Sequence, residues 1–306
     1  MSVSVRATIQ LCTYNRAHLL ERVLDGCFEQ TVAGDCYEVV LVNDGSSDET
    51  PAVIETARRR ATCAFTVVEQ ANAGLARGRN AGIARARGER IIFIDDDVLP
   101  APVFVEEHLR SHERRPEAIV RGAVINTQSF ERLPTPTWTL ANYSANYFWT
   151  SNVSVPRRTL ERVGNFTESF VEYGWEDIEL GMRLRAAGVR GIFNRFALAF
   201  HYKPRPRPSD VAGMLRQARA QARSAVQLRE LQPHWRVVLA TGDDPLRRKL
   251  HRAARKLGAL RGLERSVGAL SGERALSGRE LAAARALARE TYYAELDAAR
   301  AQREPA

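Results

Sequence analysis

The stretch "RIIFIDDDVLP", residues 90–100, decides the fold of this chain and raises its main question. Its first half is apolar and β-branched, which predicts a buried strand. Asp95, Asp96 and Asp97 follow directly, and adjacent carboxylates repel one another and favour neither strand nor core. A polar transition from strand to loop explains one aspartate. A divalent cation explains three better, because Mg²⁺ and Mn²⁺ prefer carboxylate oxygen and cancel the repulsion.

Strand and helix patterns alternate on both sides of this stretch, over residues 1–200. The segment "AHLLERVLDGCF" (17–28) repeats apolar residues at helical spacing, whereas "YEVVLVND" (37–44) is an apolar run that ends in polar residues. The segments "VRGIFN" (189–194) and "ALAFHYKP" (197–204) indicate two closing strands. The alternation, with short loops, predicts a mainly parallel α/β sheet with flanking helices.

Polar residues gather where the predicted strands end. Because the carboxyl ends of parallel strands meet at one edge of a sheet, we expect a ligand crevice there. Asn15, Asn72 and Asp96 are ligand-binding candidates on this ground alone. The full set is Thr13, Tyr14, Asn15, Asn43, Asp44, Gly45, Asn72, Gly74, Asp95, Asp96 and Asp97.

The composition bounds the class of protein. The chain has 306 residues, 44% hydrophobic and 26% charged, which is typical of a globular protein with a substantial core. No segment approaches the roughly 18–20 apolar residues of a membrane span, and the first residues lack the apolar core of a signal peptide. The four cysteines show no CxxC spacing. We therefore expect a protein of the reducing cytoplasm.

The net charge of +9 is concentrated in the last third of the chain, where residues 205–306 hold 21 basic and 11 acidic side chains. The proline-rich stretch "KPRPRPSD" (203–210) precedes this region and suits an extended connector. We place a boundary there, between an α/β domain (1–205) and a basic helical extension (206–306).

Leucines repeat at helical spacing among basic side chains in residues 245–270, with no acid between Asp244 and Glu264. One interpretation is a helical cap with a solvated basic face. The other is peripheral attachment to an anionic membrane, such as the inner face of the plasma membrane.

Two further features carry chemistry. Glu176 and Asp177 open a predicted helix, where acids are common because they favour the positive end of the helix dipole. A carboxylate there also suits a general base that faces the crevice. His201 ends the last predicted strand, and a lone histidine there is more often structural. Beside an aspartate cluster, His201 becomes a candidate third metal ligand.

Five segments in order resemble the motifs of family 2 glycosyltransferases with the GT-A fold, over about residues 5–203. The resemblance implies inverting transfer of a sugar from a nucleotide sugar, expected to be a UDP-sugar, with Mn²⁺ or Mg²⁺. The acceptor would be a hydroxyl group of a glycan, a lipid-linked sugar or a small molecule. The five segments are "TYNR", "VNDGSSDET", "NAGLARGRNAGI", "FIDDD" and "YGWEDIELGMRLRAAG".

On the donor side, the resemblance implies roles for four residues. Asp44 resembles the aspartate that meets the nucleobase, with Thr13 beside it. Arg79 and Asn80 match the family's Arg-Asn pair near the base and the diphosphate.

The remaining implied roles concern the metal and the base. Asp95 and Asp97 match the outer members of the D-x-D motif, of which the last ligates the metal and the first meets the ribose or the metal shell. His201 resembles the family's late metal-binding histidine. Asp177 matches the catalytic base, with Glu176 beside it.

The sequence departs from the family pattern in two places. Residues 164–168 read Gly-Asn-Phe-Thr-Glu where the family often reads Gly-Gly-Phe-Asp-Glu, and residues 146–156 are aromatic where relatives often carry Gly-Asn. Trp138, Trp149 and Trp175 would stack on sugar rings or pack in the core.

Two other functions remain as alternatives. A nucleotidyltransferase that forms nucleotide sugars would normally show a Gly-rich phosphate loop after the first strand, and "QLCTYNRAHLL" (10–20) has none. A basic nucleic-acid-binding protein would fit the charge, but the sequence contains no recognised nucleic-acid module, so no nucleic-acid partner is expected.

Overall fold

The computed structural model describes residues 5–136, 139 and 146–303. The chain divides into two compact units. The first comprises Met1–Val171 and Glu176–Pro204, and the second Glu172–Trp175 and Arg205–Ala306. The main boundary is adjacent to the one expected from the proline-rich connector, and the segment 172–175 joins the helical unit.

One mixed sheet of eight strands, among the described residues, forms the centre of the first unit. The strands are β1 (Ala7–Thr13), β2 (Tyr37–Asn43), β3 (Ala64–Glu69), β4 (Arg90–Phe93), β5 (Val98–Pro100), β6 (Ile119–Thr127), β7 (Val153–Pro156) and β8 (Gly191–Tyr202). Their order is β3-β2-β1-β4-β7-β6-β8-β5. The pairs among β1 to β4 and the pair β6–β8 are parallel, whereas β7 and β5 are antiparallel to their neighbours. The predicted mainly parallel sheet is present, with two antiparallel strands inserted.

Six helices accompany this sheet in the described part of the first unit. They are α1 (Ala17–Phe28), α2 (Thr50–Arg60), α3 (Leu75–Arg85), α4 (Phe104–Arg114), α5 (Arg157–Val163) and α6 (Glu176–Ala186). α1 has the bounds expected from its pattern and buries the predicted apolar face, including Leu20, Val23 and Leu24, in the main core. That prediction is confirmed.

α3 approaches β1 closely because two of its residues lack side chains. A Cβ atom at Gly82 would lie 2.5 Å from Nε2 of Gln10, and one at Gly78 would lie 3.1 Å from Sγ of Cys12. Larger residues would push the helix away from the sheet. The two glycines therefore fix the stretch of helix that carries Arg79.

Two predicted strands are one strand, so that prediction is wrong. β8 runs from Gly191 to Tyr202 without a break, and its register against β6 shifts between Gly122 and Ala123. The shift leaves residues 195–197 as a bulge, which accounts for the polar interruption in the pattern. Three elements, β5, α4 and β7, were not predicted at all.

The second unit is helical in its described part. Its helices are α7 (Val211–Leu231), α8 (Trp235–Thr241), α9 (Pro245–Lys256), α10 (Ala259–Gly268) and α11 (Gly278–Ala301). Two small apolar clusters hold it together, one around Ala222 and Leu296 and one around Val211 and Leu287. None of its described helices, nor any in the first unit, is long and apolar enough to cross a bilayer.

The basic segment 245–270 forms two helices, α9 and α10. Gly258 separates α9 from α10 with a left-handed backbone at φ 79°. Glycine adopts this conformation without steric cost, so the leucine periodicity continues while the helix axis breaks.

Candidate active site

The outer two of the three adjacent aspartates have different partners. Asp95 accepts a hydrogen bond from the Ser151 hydroxyl at 2.5 Å. Asp97 Oδ1 lies 3.2 Å from Nε2 of His201, which stands opposite Val98 in the β5–β8 pair. Asp96 lies between them. Separate partners therefore stabilise two of the three carboxylates that follow β4.

The same surroundings shift the pKa values of two of these aspartates in opposite directions. Burial raises the pKa of Asp96 to about 7 against the attraction of Arg16, and the charge of Asp97 adds to the rise. Burial also acts on Asp97, but its hydrogen bond and charge interaction with His201 outweigh that effect and lower its pKa. Asp97 is therefore the better anionic ligand of the two.

Arg79 is the centre of the site. Its guanidinium donates to Glu176 Oε1 at 2.5 Å, to Thr150 Oγ1 at 2.8 Å and to Asp95 Oδ1 at 3.3 Å. Arg79 is 5% exposed, and its guanidinium lies over the Phe166 ring at 5.4 Å from the centroid. A buried, bridging cation thus connects the aspartate run to the first turn of α6.

Glu176 and Asp177 begin α6, as predicted. Glu176 is buried and paired with Arg79, whereas Asp177 Oδ1 accepts a hydrogen bond from the Ile178 amide at 2.7 Å. Burial raises the pKa of Asp177 to about 7, the charge of Glu176 adds to the rise, and Arg79 opposes it. A carboxyl group with a pKa near neutrality is suited to accept a proton at physiological pH.

The predicted donor-side residues order the loops that follow the strands. Both oxygens of Asp44 accept hydrogen bonds from the 70–74 loop, including those from the Ala73 and Gly74 amides at 2.9 and 3.1 Å. The Asp44 amide in turn donates to the Thr13 carbonyl at 2.9 Å. Asn15 has a left-handed backbone, and its Oδ1 accepts from the amides of residues 47 and 48.

Asn72 and Asn80 have different environments. Asn72 is exposed on the 70–74 loop, with its side chain open to solvent. Asn80 exchanges hydrogen bonds with the backbone of Phe166 and also donates to Glu168 Oε1 at 2.9 Å. Asn80 therefore orders the 166–168 turn beside Arg79, and its contact with a diphosphate remains a prediction.

The tryptophans have different environments. Trp149 lies in the site, with its ring centroid 6.4 Å from that of His201. Trp175 packs within the helical unit, where its indole N–H donates to the Gln221 carbonyl at 2.8 Å. Core packing therefore explains Trp175. Trp138 lies outside the described residues.

Thr150 and Ser151 are site residues that sequence reasoning missed. They contact Arg79 and Asp95 directly and are 3% and 2% exposed. Both lie within the segment 146–156 that departs from the family pattern, and short hydroxyl residues in a loop carry no periodic signal. The strand that follows them, β7, was not predicted either, so nothing in the sequence indicated their position.

The metal-ligating side chains fit a divalent cation whose remaining ligands come from a substrate. Asp97 and His201 offer one carboxylate and one imidazole, which Mn²⁺ accepts together. Within the described residues no group of three metal-ligating side chains forms a complete cage. Mg²⁺ and Mn²⁺ sites that complete their shell with substrate phosphates need only one or two protein carboxylates. Both oxygens of Asp95 already accept hydrogen bonds, so its role as a metal ligand stays a prediction.

Known structures share this fold. A mannosyltransferase from Pyrobaculum calidifontis, solved with GDP-Man and Mn²⁺, is 21% identical with a TM-score of 0.61, covering 97% of this chain and 86% of that one. Residues 1–349 of TarS from S. aureus are 18% identical with a TM-score of 0.57, covering 97% and 92%. The predicted GT-A architecture, a mostly parallel sheet with flanking helices and a helical C-terminal region, is confirmed.

Sequence relatives carry the comparison further. Validoxylamine A glucosyltransferase from Streptomyces hygroscopicus subsp. jinggangensis is 32% identical over 219 residues, which cover 60% of this chain and 52% of the relative. The glycosyltransferase YfnE of Bacillus subtilis is 25% identical, covering 64% of each chain. The alignment thus spans about half the length of the first relative. The model of the family described as glycosyl transferase family 2 matches residues 8–174, more than half of the sequence, and the chain is therefore a member of that family.

Proposed function

We propose that this glycosyltransferase moves a sugar from a nucleotide sugar, expected to be a UDP-sugar, to an acceptor hydroxyl with inversion at the anomeric carbon. The observation that carries the proposal is the Arg79 bridge, which brings the carboxylates at the end of β4 and those at the start of α6 to one guanidinium. Inversion requires a donor-binding group and a base in one site, because the acceptor attacks as the nucleoside diphosphate leaves.

On the donor side, Asp97 and His201 would hold Mn²⁺ or Mg²⁺. A bound divalent cation supplies charge stabilisation for the leaving diphosphate. Thr13 and Asp44 would meet the nucleobase at the ordered ends of β1 and β2, and Arg79 holds Asp95 in place for the ribose. Membership of the family favours transfer over the nucleotidyltransferase alternative.

On the acceptor side, Asp177 would remove the proton of the attacking hydroxyl. Its pKa of about 7 leaves a large fraction deprotonated at neutral pH. Glu176 cannot serve equally well while it is bound to Arg79 at 2.5 Å. Glu176 and Asp177 therefore have different roles in this proposal: Glu176 positions Arg79, and Asp177 accepts the proton.

The relatives support a hexose donor without fixing the nucleotide. One relative is named as a glucosyltransferase of validoxylamine A, one solved neighbour contains GDP-Man with Mn²⁺, and another contains UDP. A glycan, a lipid-linked sugar or a small hydroxyl compound remains within the proposal as acceptor.

Thermal unfolding with a panel of nucleotide sugars, with Mn²⁺ or with EDTA, tests the proposal, because a ligand that binds the folded state raises the melting temperature. We expect one UDP-sugar to protect the protein only when the metal is present, and to be consumed when an acceptor hydroxyl is added. Protection by a nucleoside triphosphate and a sugar phosphate, without protection by any nucleotide sugar, would instead support the nucleotidyltransferase.

A further inference from the structure

The helix α9 of the helical unit packs through its charged side. Arg248 lies 3.1 Å from Asp243, His251 lies 2.5 Å from Glu290, and Arg255 lies 2.7 Å from Asp297. The His251 ring also stacks on Tyr293 with centroids 3.9 Å apart. A surface helix normally packs through its apolar side, so this orientation is reversed.

The apolar side of α9 faces solvent in consequence. Leu246 is 67% exposed and Leu250 61%, and Leu257, just after the helix, is 86% exposed. No residue of α9 is buried. The row of leucines is therefore available to another surface, and ion pairs hold the helix in the orientation that presents it.

Further apolar side chains precede this row in the chain. Leu231, Trp235 and Leu239 are 45%, 59% and 60% exposed, so that residues 231–257 contribute half of the large exposed apolar side chains described for the whole chain. We call the exposed side chains of residues 231–265 the tail patch. A concentration of this kind indicates an interaction surface and not scattered exposure.

The exposed charges of the tail patch are almost all positive. Glu264 is its one exposed acid among the described residues, because Asp243 is buried and Asp244 is half-buried. The exposed bases are Arg236, Arg247, Lys249, Arg252, Lys256, Arg261 and Arg265, of which Arg247 also pairs with Asp244 and Arg252 with Asp297. Cations interleaved with leucines and a tryptophan complement an anionic apolar boundary.

We propose that the tail patch binds the surface of a bilayer that contains anionic phospholipid. The leucines and Trp235 enter the boundary between headgroups and acyl chains, and the bases contact the headgroups. A second copy of the chain fits less well, because a two-fold interface would place the same cations opposite one another. The inference concerns where the enzyme is held and goes beyond the proposed chemistry.

Co-sedimentation of the full chain with vesicles tests the inference, using phosphatidylcholine alone and an equal mixture with phosphatidylglycerol. We expect binding to the mixed vesicles only, weakened by added salt. Leu246→Gln/Leu250→Gln and Lys249→Glu/Lys256→Glu should each weaken binding roughly tenfold or more. Both pairs change exposed side chains, so their melting temperatures should match the wild type.

The control is Arg285→Glu/Arg289→Glu on α11, which makes the same change in net charge at exposed positions outside the tail patch. It should change vesicle binding by less than about twofold. Equal losses in the control and the lysine variant would overturn the proposal, as would equal binding to neutral vesicles or none to either kind. A wild-type dimer that the leucine variant converts to a monomer would assign the patch to a second copy instead.

Discussion

Replacing Arg79 with Gln should destabilise the first unit strongly. The substitution removes a buried cation that contacts Glu176 at 2.5 Å, Thr150 at 2.8 Å and Asp95 at 3.3 Å. Glu176, 5% exposed, would keep its carboxylate without the charge that compensates its burial. Breaking a buried ion pair from one side costs about 3–5 kcal/mol. We expect a loss of that order in the free energy of unfolding.

Urea unfolding followed by circular dichroism measures this loss. The matched control is Arg157→Gln, because the Arg157–Glu161 pair has side chains 41% and 52% exposed and should contribute under about 1 kcal/mol. A double variant, Arg79→Met/Glu176→Met, should lose less than Arg79→Gln, because the buried Glu176 carboxylate is then not left unpaired. A loss below about 1 kcal/mol for Arg79→Gln would refute the claim that Arg79 organises the site.

The same substitution should move the pH dependence of turnover. Arg79 lowers the pKa of Asp177 against burial and the charge of Glu176, so its removal raises that pKa above about 7. The acidic limb of kcat/KM should then shift to higher pH, and activity lost at pH 7 should partly return at higher pH. Arg79→Lys keeps a charge and should shift the limb less. An unchanged limb in Arg79→Gln would remove Asp177 from the role of base.

Three further outcomes are expected. Asp177→Asn should lower kcat by about 10²–10⁴ with little change in the donor dissociation constant. If this variant stays active, Asp177 is not the base. Asp97→Ala should abolish the effect of Mn²⁺ on donor binding measured by calorimetry. Retained metal dependence would contradict the proposal that Asp97 and His201 hold the metal. Burial lowers the pKa of His108 to about 4 and of His112 to about 3, so both are neutral in the folded state and their stabilising effect is complete above pH 6.5. As the pH falls from 6.5 toward 4, the free energy of unfolding should fall by up to about 1.4 kcal/mol per pH unit for each histidine, and His108→Gln should make this slope shallower.

One arginine, Arg79, connects the carboxylates of two separate segments of the site. Asp95 lies in the turn between β4 and β5, and Glu176 lies at the start of α6. Both pair with Arg79, which has lost most contact with water and interacts with them strongly for that reason. A change on one side of the bridge therefore affects the electrostatics of the other.

The sequence predicted α1 correctly, because its apolar residues recur at helical spacing. It also predicted the polar strand ends, because each lies where an apolar run stops. The aspartate run and the Glu-Asp pair were recognisable because one follows a predicted strand and the other begins a predicted helix. The family was recognisable from five motifs in order. Thr150 and Ser151 were not, because a hydroxyl residue in a loop acquires a role only when folding places a partner beside it.

The sequence by itself determined which residues could carry charge, where the main strands and helices begin, and that the last third is basic and helical. Only the tertiary structure decided how those charges are paired: Arg79 pairs with Glu176, and Asp97 lies beside His201. It also decided that α9 presents its leucines outward, since His251 and Arg255 pair with Glu290 and Asp297 of α11, far along the chain. The physical reason is common to these cases. Periodicity fixes the faces of an element, but ion pairs with residues distant in the chain select which face is turned inward.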